Sequence, residues 1–159
     1  MKRLILFISI ISLIGIMAAC GKEKVDLSDT SISAKERVTS IVHNVVGEKV
    51  SDKDTVKSIK NNDGILKLEI NTKAHEGSKQ ALLKDSAKIF ADLSKMKDVS
   101  SATISWLAPL TDQNGKKSMG EVLAIMIDGE TFKKVDWDNY ESLDLEKLAS
   151  GYKQHDALK

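Results

Sequence analysis

The stretch that decides the fold is residues 122–127, which read VLAIMI, six apolar side chains in succession. A short apolar run bounded by turn residues is typical of a β-strand that is covered on both faces. Asp128 and Gly129 follow the run and end it. The run therefore predicts a strand placed centrally in a buried sheet, and the rest of the chain must supply its neighbours and its cover.

Upstream of this run, other segments show the alternation of apolar and polar side chains that is typical of strands with one buried face. Residues 102–106 read ATISW, in which every second side chain is apolar, and Pro109 is expected to close that strand. Residues 54–61 and 65–72 flank an Asn-Asn-Asp-Gly sequence, and Asp-Gly favours a tight hairpin turn. These patterns predict a hairpin followed by a second pair of strands.

Apolar side chains at helical spacing predict helices over residues 33–46, 78–97 and 143–151, and the turn-rich region after the central strand leaves room for a short helix over residues 130–135. The first begins with Ser33-Ala34-Lys35-Glu36, which has the spacing of a capping box. The last is expected to end near Gly151, leaving residues 155–159 as a loose tail. Because strands joined by short turns favour antiparallel pairing, the expected fold is a single α+β domain. It has an antiparallel sheet of about four strands with two or three helices on one side.

Composition excludes several classes of protein. The chain has 159 residues, 30% of them charged, with a formal net charge of +1. Such a balance argues against a broadly basic nucleic-acid-binding protein, so no nucleic-acid partner is expected. One cysteine excludes an intramolecular disulfide framework and a multi-cysteine zinc site. The length suits one domain.

The N-terminus differs in character from the rest of the chain. Met1-Lys2-Arg3 is basic, and residues 4–17 (LILFISIISLIGIM) carry no charge. A charged start, an apolar run and small residues before a cut describe a secretory signal peptide. Fourteen helical residues reach about 21 Å, which is short of the ~30 Å hydrocarbon core of a bilayer. The segment is therefore predicted to be a signal peptide rather than a spanning helix.

Ile16-Met17-Ala18-Ala19-Cys20 resembles the lipobox of bacterial lipoproteins, in which an aliphatic residue and two small residues precede a cysteine. The resemblance implies that the Cys20 thiol receives a diacylglyceryl group and that a dedicated peptidase cuts between Ala19 and Cys20. Membrane lipid would then be a partner of the chain through Cys20. Two acyl chains anchor a protein stably where one gives only marginal binding.

Residues 1–19 would accordingly be a lipoprotein signal peptide, residues 20–32 a lipidated N-terminus and flexible tether, and residues 33–159 an extracytoplasmic α+β domain. The expected location is the extracytoplasmic face of the cell membrane. Two alternatives remain for the N-terminus: an uncleaved membrane helix with an incidental cysteine, and an ordinary signal peptide.

Catalytic and metal-binding motifs are not found in the sequence. His43, His75 and His155 lie far apart, and none has a second ligand at metal spacing. Asp136, Asp138 and Asn139 begin like a calcium loop, but the glycine and glutamate required later are absent. The nucleophile-elbow and phosphate-loop patterns are also missing. No enzyme activity, cofactor or metal is therefore expected, although paired carboxylates brought together by the fold leave an enzyme as a weaker alternative.

Two aromatic side chains, Trp137 and Tyr140, form a candidate contact patch, with burial of Trp137 in the core as the alternative. The predicted function is that of a non-enzymatic assembly or interaction factor with envelope protein partners. The lipobox, the strand over residues 122–127 and residues 136–140 together resemble small lipoproteins of conjugative-plasmid transfer regions. Two other functions stay open: a small ligand-binding lipoprotein, and a precursor whose cleaved peptide is a mating pheromone, since residues 11–18 (ISLIGIMA) resemble such peptides.

Overall fold

A computed structural model describes residues 25–73 and 78–158. The predicted signal peptide, the cleavage site at Ala19 and Cys20, and His75 lie outside the described residues. The helices are α1 (Ala34–Val46), α2 (Lys79–Leu93), α3 (Gly129–Lys134) and α4 (Leu145–Leu148), with 3-10 helices at Trp137–Ser142 and Asp156–Leu158. The strands are β1 (Lys49–Val50), β2 (Lys53–Asp54), β3 (Val56–Asn62), β4 (Ile65–Asn71), β5 (Ser101–Thr111), β6 (Lys117–Ile127) and β7 (Gly151–Gln154). The single domain of mixed α and β structure agrees with the expectation.

The main sheet has five strands in the order β3-β4-β5-β6-β7, and β1 and β2 form a separate small hairpin. Three of its neighbouring pairs are antiparallel, whereas β4 and β5 are parallel. The expectation of about four antiparallel strands was therefore wrong in the number of strands and in the direction of one pair, β4 and β5. Helix α2 connects β4 to β5, and a helical crossover of this length returns the chain to the starting end of the sheet, which makes the second strand parallel.

The hairpin of β3 and β4 confirms its prediction. Asn62 pairs with Ile65, so Asp63 and Gly64 form the two-residue loop. Both have positive φ angles, 51° and 84°, as a type I′ turn requires. The right-handed twist of this turn matches that of the strands on either side, which explains why the Asp-Gly signal was informative.

The predicted position of β6 was wrong in part. It lies next to the edge strand β7, and β5 is the central strand. Val122 is an extra residue in β6, because Trp106 pairs with Leu123 and Leu107 with Glu121. The strand is not covered on both faces, since Met126 is 43% exposed. The apolar run over residues 122–127 therefore has three sources: the buried face of the strand, the bulge at Val122 and the exposed side chain of Met126.

Pro109 does not end β5, which continues to Thr111. The carbonyl of Leu107 accepts a bond from Thr72 on the β4 side of the strand, and the nitrogen of Pro109, two residues later, faces the same side. The pairing of β4 with β5 ends at Leu107, so no ladder bond is lost there. The hairpin of β5 and β6 therefore projects beyond the rest of the sheet.

The first helix matches its prediction, and the Ser33 hydroxyl oxygen accepts a bond from the Glu36 N–H at 3.2 Å. Helix α2 is shorter than the predicted 78–97, because it ends at Leu93. The predicted helix over 130–135 is α3, capped by the Asp128 carboxylate, which accepts from the Thr131 N–H at 2.8 Å.

The C-terminal prediction was wrong. The helix expected over residues 143–151 is only the four residues of α4, and β7 follows it and pairs with β6. The expected loose tail instead contains a 3-10 helix whose Leu158 side chain is buried. Burial of the Leu158 side chain stabilises the 3-10 helix against the domain. Pairing with β7 gives the otherwise free edge of β6 its backbone hydrogen bonds.

One face of the sheet carries the core. Alternate side chains of β4, β5 and β6 on this face are buried beneath helices α1 and α2 and the C-terminal segment: Leu66, Leu68, Ile70, Ala102, Ile104, Trp106, Leu123, Ile125 and Ile127. The Trp106 indole donates to the buried Ser86 hydroxyl of α2 at 2.8 Å, and that hydroxyl donates to the Leu82 carbonyl at 2.7 Å. This buried relay fixes α2 on the central strand.

Candidate interaction surfaces and membrane attachment

The point where the chain enters the domain is held by a buried arginine. Arg37 on α1 is 1% exposed, and its guanidinium donates to the carbonyls of Leu27 at 2.9 Å and Ile32 at 3.0 Å. The same group forms a bidentate pair with the Asp98 carboxylate at 2.6 and 3.0 Å. We call this arrangement the Arg37 clamp. It joins the entering chain, α1 and the segment after α2.

The clamp changes the expectation of a flexible tether over residues 20–32. Residues 25–32 form turns in which Asp26 accepts from the Ser28 N–H and Asp29 from the Ser31 N–H, both within 2.9 Å. Hydrogen bonds from the side chains of Ser28 and Ser31, together with those from their N–H groups, hold the pKa of each of the two carboxyl groups below its ordinary value. Leu27 packs against the core. The described part of the predicted tether is therefore attached to the domain, and residues 20–24 lie outside the described residues.

A groove lies beside this entry point, between α1 and α2. We call it the entry groove; its volume is about 430 Å³, and its lining is formed by Val25, Leu27, Ile41, Asn44, Lys88, Asp92 and Lys95. The floor is apolar, and the rim carries charged side chains of α2 and of Lys95, which follows the end of that helix. Lys95 pairs with Asp92 at 2.6 Å, and Lys88 is exposed.

A second groove, of about 680 Å³, separates α2 from residues 140–146. Leu83 and Ala87 of α2 face Tyr140 and Leu143 across it. Glu146, which lines this groove, forms an ion pair with Lys79 of α2. The hydroxyl of Tyr152 lies 3.1 Å from Glu146 Oε1, and burial, together with this hydrogen bond, raises the pKa of Tyr152 to about 12.

The structure does not bring Trp137 and Tyr140 into one patch. Trp137 is buried against Phe90 and Phe132, with ring centroids 5.8 and 5.5 Å apart, and its indole donates to the Phe132 carbonyl at 2.8 Å. It reaches a separate groove of about 690 Å³ beneath α3, whereas Tyr140 lines the groove beside α2. Trp137 thus fixes the C-terminal segment in the core, as the alternative reading expected.

The face of the sheet opposite the helices was not anticipated. We call it the open face. Ile65, Met119 and Met126 are 52%, 41% and 43% exposed, and these are the exposed large hydrophobic side chains of the described residues. By strand register all three point to this face: Met126 pairs with Thr103, Met119 with Pro109, and Ile65 with Ser101.

Small and charged side chains separate these apolar positions on the open face. Ser101, Thr103 and Ser105 follow one another along β5, and Ala124 lies opposite Ser105. None of the four is buried. The same register places four charged residues there: Lys67, Glu69, Glu121 and Lys153. The sequence signal for this face was the polar half of each alternating strand, which indicates a face exposed to solvent. That pattern does not predict the three large apolar side chains on the face.

No group of three or more metal-binding side chains occurs within residues 25–73 and 78–158. His43 lies 3.4 Å from Asp54 on the surface. Among these residues, no helix is long and apolar enough to span a bilayer. A hydrogen bond from the Thr131 N–H lowers the pKa of Asp128, and one from the Lys147 side chain lowers the pKa of Asp144. Burial raises the pKa of Asp85. These shifts belong to local structure.

Comparison of the chain with protein-family models, with curated proteins and with solved structures finds no match.

Proposed function

We propose that this chain is a lipid-anchored protein of the bacterial cell envelope that acts as a non-enzymatic interaction factor on the extracytoplasmic face of the membrane. The lipobox-like residues 16–20 support anchoring through Cys20. The Arg37 clamp supports a short connection, since Val25, five residues after Cys20, already lines a groove of the folded domain. The resemblance to transfer-region lipoproteins makes a conjugative transfer apparatus the first assembly to examine.

The observation that carries the interaction role is the open face. Isolated exposed apolar side chains are common on monomeric proteins, but here the large ones share a single face that no helix of the described residues covers. A sheet face that combines small polar residues, a few apolar side chains and charged side chains can pack against another protein while its polar groups stay hydrogen-bonded. This face therefore is the proposed contact for an envelope protein partner.

Anchoring is tested by cell fractionation and by metabolic labelling with an alkyne fatty acid. The Cys20→Ala protein is expected to lose the label and to retain the signal peptide in its mass. A Lys22→Ala protein is the matched control, because it changes the same segment without altering the lipobox. Equal labelling of the Cys20→Ala protein would refute anchoring through this residue.

The interaction role is tested with a photo-crosslinking residue at Thr103, in the middle of the open face, and with the same residue at Lys35 on the exposed side of α1. A defined crosslinked partner is expected from position 103 and not from position 35. Adding Met126→Ser should weaken that crosslink at an unchanged level of the protein. Equal products from the two positions would contradict the role of the open face.

A ligand-binding role is the second candidate, and the groove beside Tyr140 favours it, since about 680 Å³ falls within the range of small-molecule sites. A thermal-shift screen of amphiphilic small molecules tests it. A binder should raise the melting temperature of the original protein and have no effect on a Tyr140→Ala protein whose fold is intact. A screen in which both proteins respond alike would reject this role.

A further inference from the structure

The entry groove lies within short reach of the proposed lipid anchor. The segment from Cys20 to Val25 advances five residues, and five residues of fully extended chain span at most about 18 Å. The Arg37 clamp fixes the chain immediately after this segment, through the Leu27 and Ile32 carbonyls. A domain anchored at Cys20 therefore cannot move its entry groove far from the bilayer surface.

The surface at this point has the chemistry of a membrane interface. Val25, Leu27 and Ile41 give the entry groove an apolar floor, and the exposed ammonium groups of Lys88 and Lys95 lie along one rim. Long lysine side chains can rest along apolar surface and place their charge among lipid phosphates.

We propose that the domain lies with its entry groove against the membrane and that Lys88 and Lys95 bind the phosphate groups of anionic lipids there. This inference rests on the proposed lipid anchor at Cys20. Asp92, which pairs with Lys95, and Asn44 complete the rim, so the lining residues of the groove carry one net positive charge and one neutral polar side chain. The open face lies on the opposite side of the sheet from α1 and α2, and this orientation directs it away from the membrane, where a partner can reach it.

The full-length lipidated protein, reconstituted in vesicles, tests the orientation. Because Cys20 is the single cysteine and is acylated in the anchored form, an introduced cysteine is the one free thiol for a fluorescent label. One protein carries the label at Asn44→Cys, on the groove rim, and the control carries it at Met126→Cys, on the open face. Lipids with a nitroxide on the headgroup quench a label that lies near the membrane surface.

In vesicles that contain phosphatidylglycerol, the label at position 44 should be quenched at least threefold more strongly than the label at position 126. Combining Lys88→Gln with Lys95→Gln, or using pure phosphatidylcholine, should reduce that difference by half or more. Equal quenching at the two positions would overturn the proposal. A difference in quenching that changes neither with the two lysine substitutions nor with the lipid charge would overturn it as well. Flotation of the vesicles in a density gradient is measured separately from quenching. A protein that does not float with the vesicles would overturn the proposed anchor itself.

Discussion

Replacement of Arg37 by methionine tests whether the clamp stabilises the whole domain. Methionine keeps the length and the apolar stem of the side chain but removes the donors to Leu27, Ile32 and Asp98. Hydrogen bonds from a charged donor contribute about 1.5 kcal/mol each at the low end, so the two carbonyls alone account for a loss of about 3 kcal/mol. The ion pair adds little beyond this value, because the Asp98 side chain is 37% exposed and water can solvate its carboxylate.

The assay is urea unfolding of the purified full-length protein in a mild non-ionic detergent, followed by circular dichroism. In a thermal unfolding experiment on a domain of this size, the same loss of about 3 kcal/mol would lower the melting temperature by about 10 °C. Lys35→Met is the matched control, since Lys35 is an exposed residue on the same helix, and its effect should stay within about 0.5 kcal/mol. A loss below about 1 kcal/mol for Arg37→Met, with an unchanged urea slope, would refute this account of the clamp.

Three further substitutions test other parts of the fold by the same unfolding assay. Gly64→Ala should cost about 1–2 kcal/mol, because Gly64 has a φ angle of +84° in a type I′ turn; a loss below 0.3 kcal/mol would contradict that reading. Ser86→Ala should cost about 2 kcal/mol, since it leaves the buried Trp106 indole N–H without an acceptor, and an unchanged stability would show that the relay is unimportant. The hydrogen bond from Lys79 lowers the pKa of Glu146, so the stability that this carboxylate contributes is present above its ordinary pKa of 4.5 and is lost as the pH falls through the lower folded-state value. Stability should therefore fall less steeply below about pH 4.5 in Glu146→Gln than in the original protein, and identical pH profiles would refute this linkage.

Local patterns predicted the elements whose signals are complete within a few residues. The Asp63-Gly64 turn, the Ser33 cap and the short helix α3 all appear where the sequence indicated. The parallel direction of β5 relative to β4 was not predicted. Alternating apolar and polar side chains indicate that a strand has one buried face, but they do not indicate which strand pairs with it or in which direction. The intervening helix α2 was the signal that could have corrected this, since two strands joined through a helix commonly pair in parallel.

The prediction for the C-terminal residues was wrong for a different reason. Leu145, Leu148 and Tyr152 have helical spacing, yet α4 has four residues and Tyr152 lies in β7. Segments this short are decided by tertiary pairing, here with the free edge of β6, rather than by their own pattern. The open face could not be predicted either, because it is assembled from residues on several strands whose order the sequence did not reveal.

The Arg37 clamp also determines where a mechanical load would enter the domain. A protein tethered to a membrane and engaged by a partner is pulled at its N-terminal attachment. Force transmitted through Val25 acts first on the bonds between the guanidinium and the Leu27 and Ile32 carbonyls, and then on α1. The first strand of the main sheet begins at Val56, well beyond the clamp in the chain. Tension on the proposed anchor would therefore be resisted by an arginine and a helix before it reached the sheet, so the open face would keep its shape while the chain before Val25 is under load.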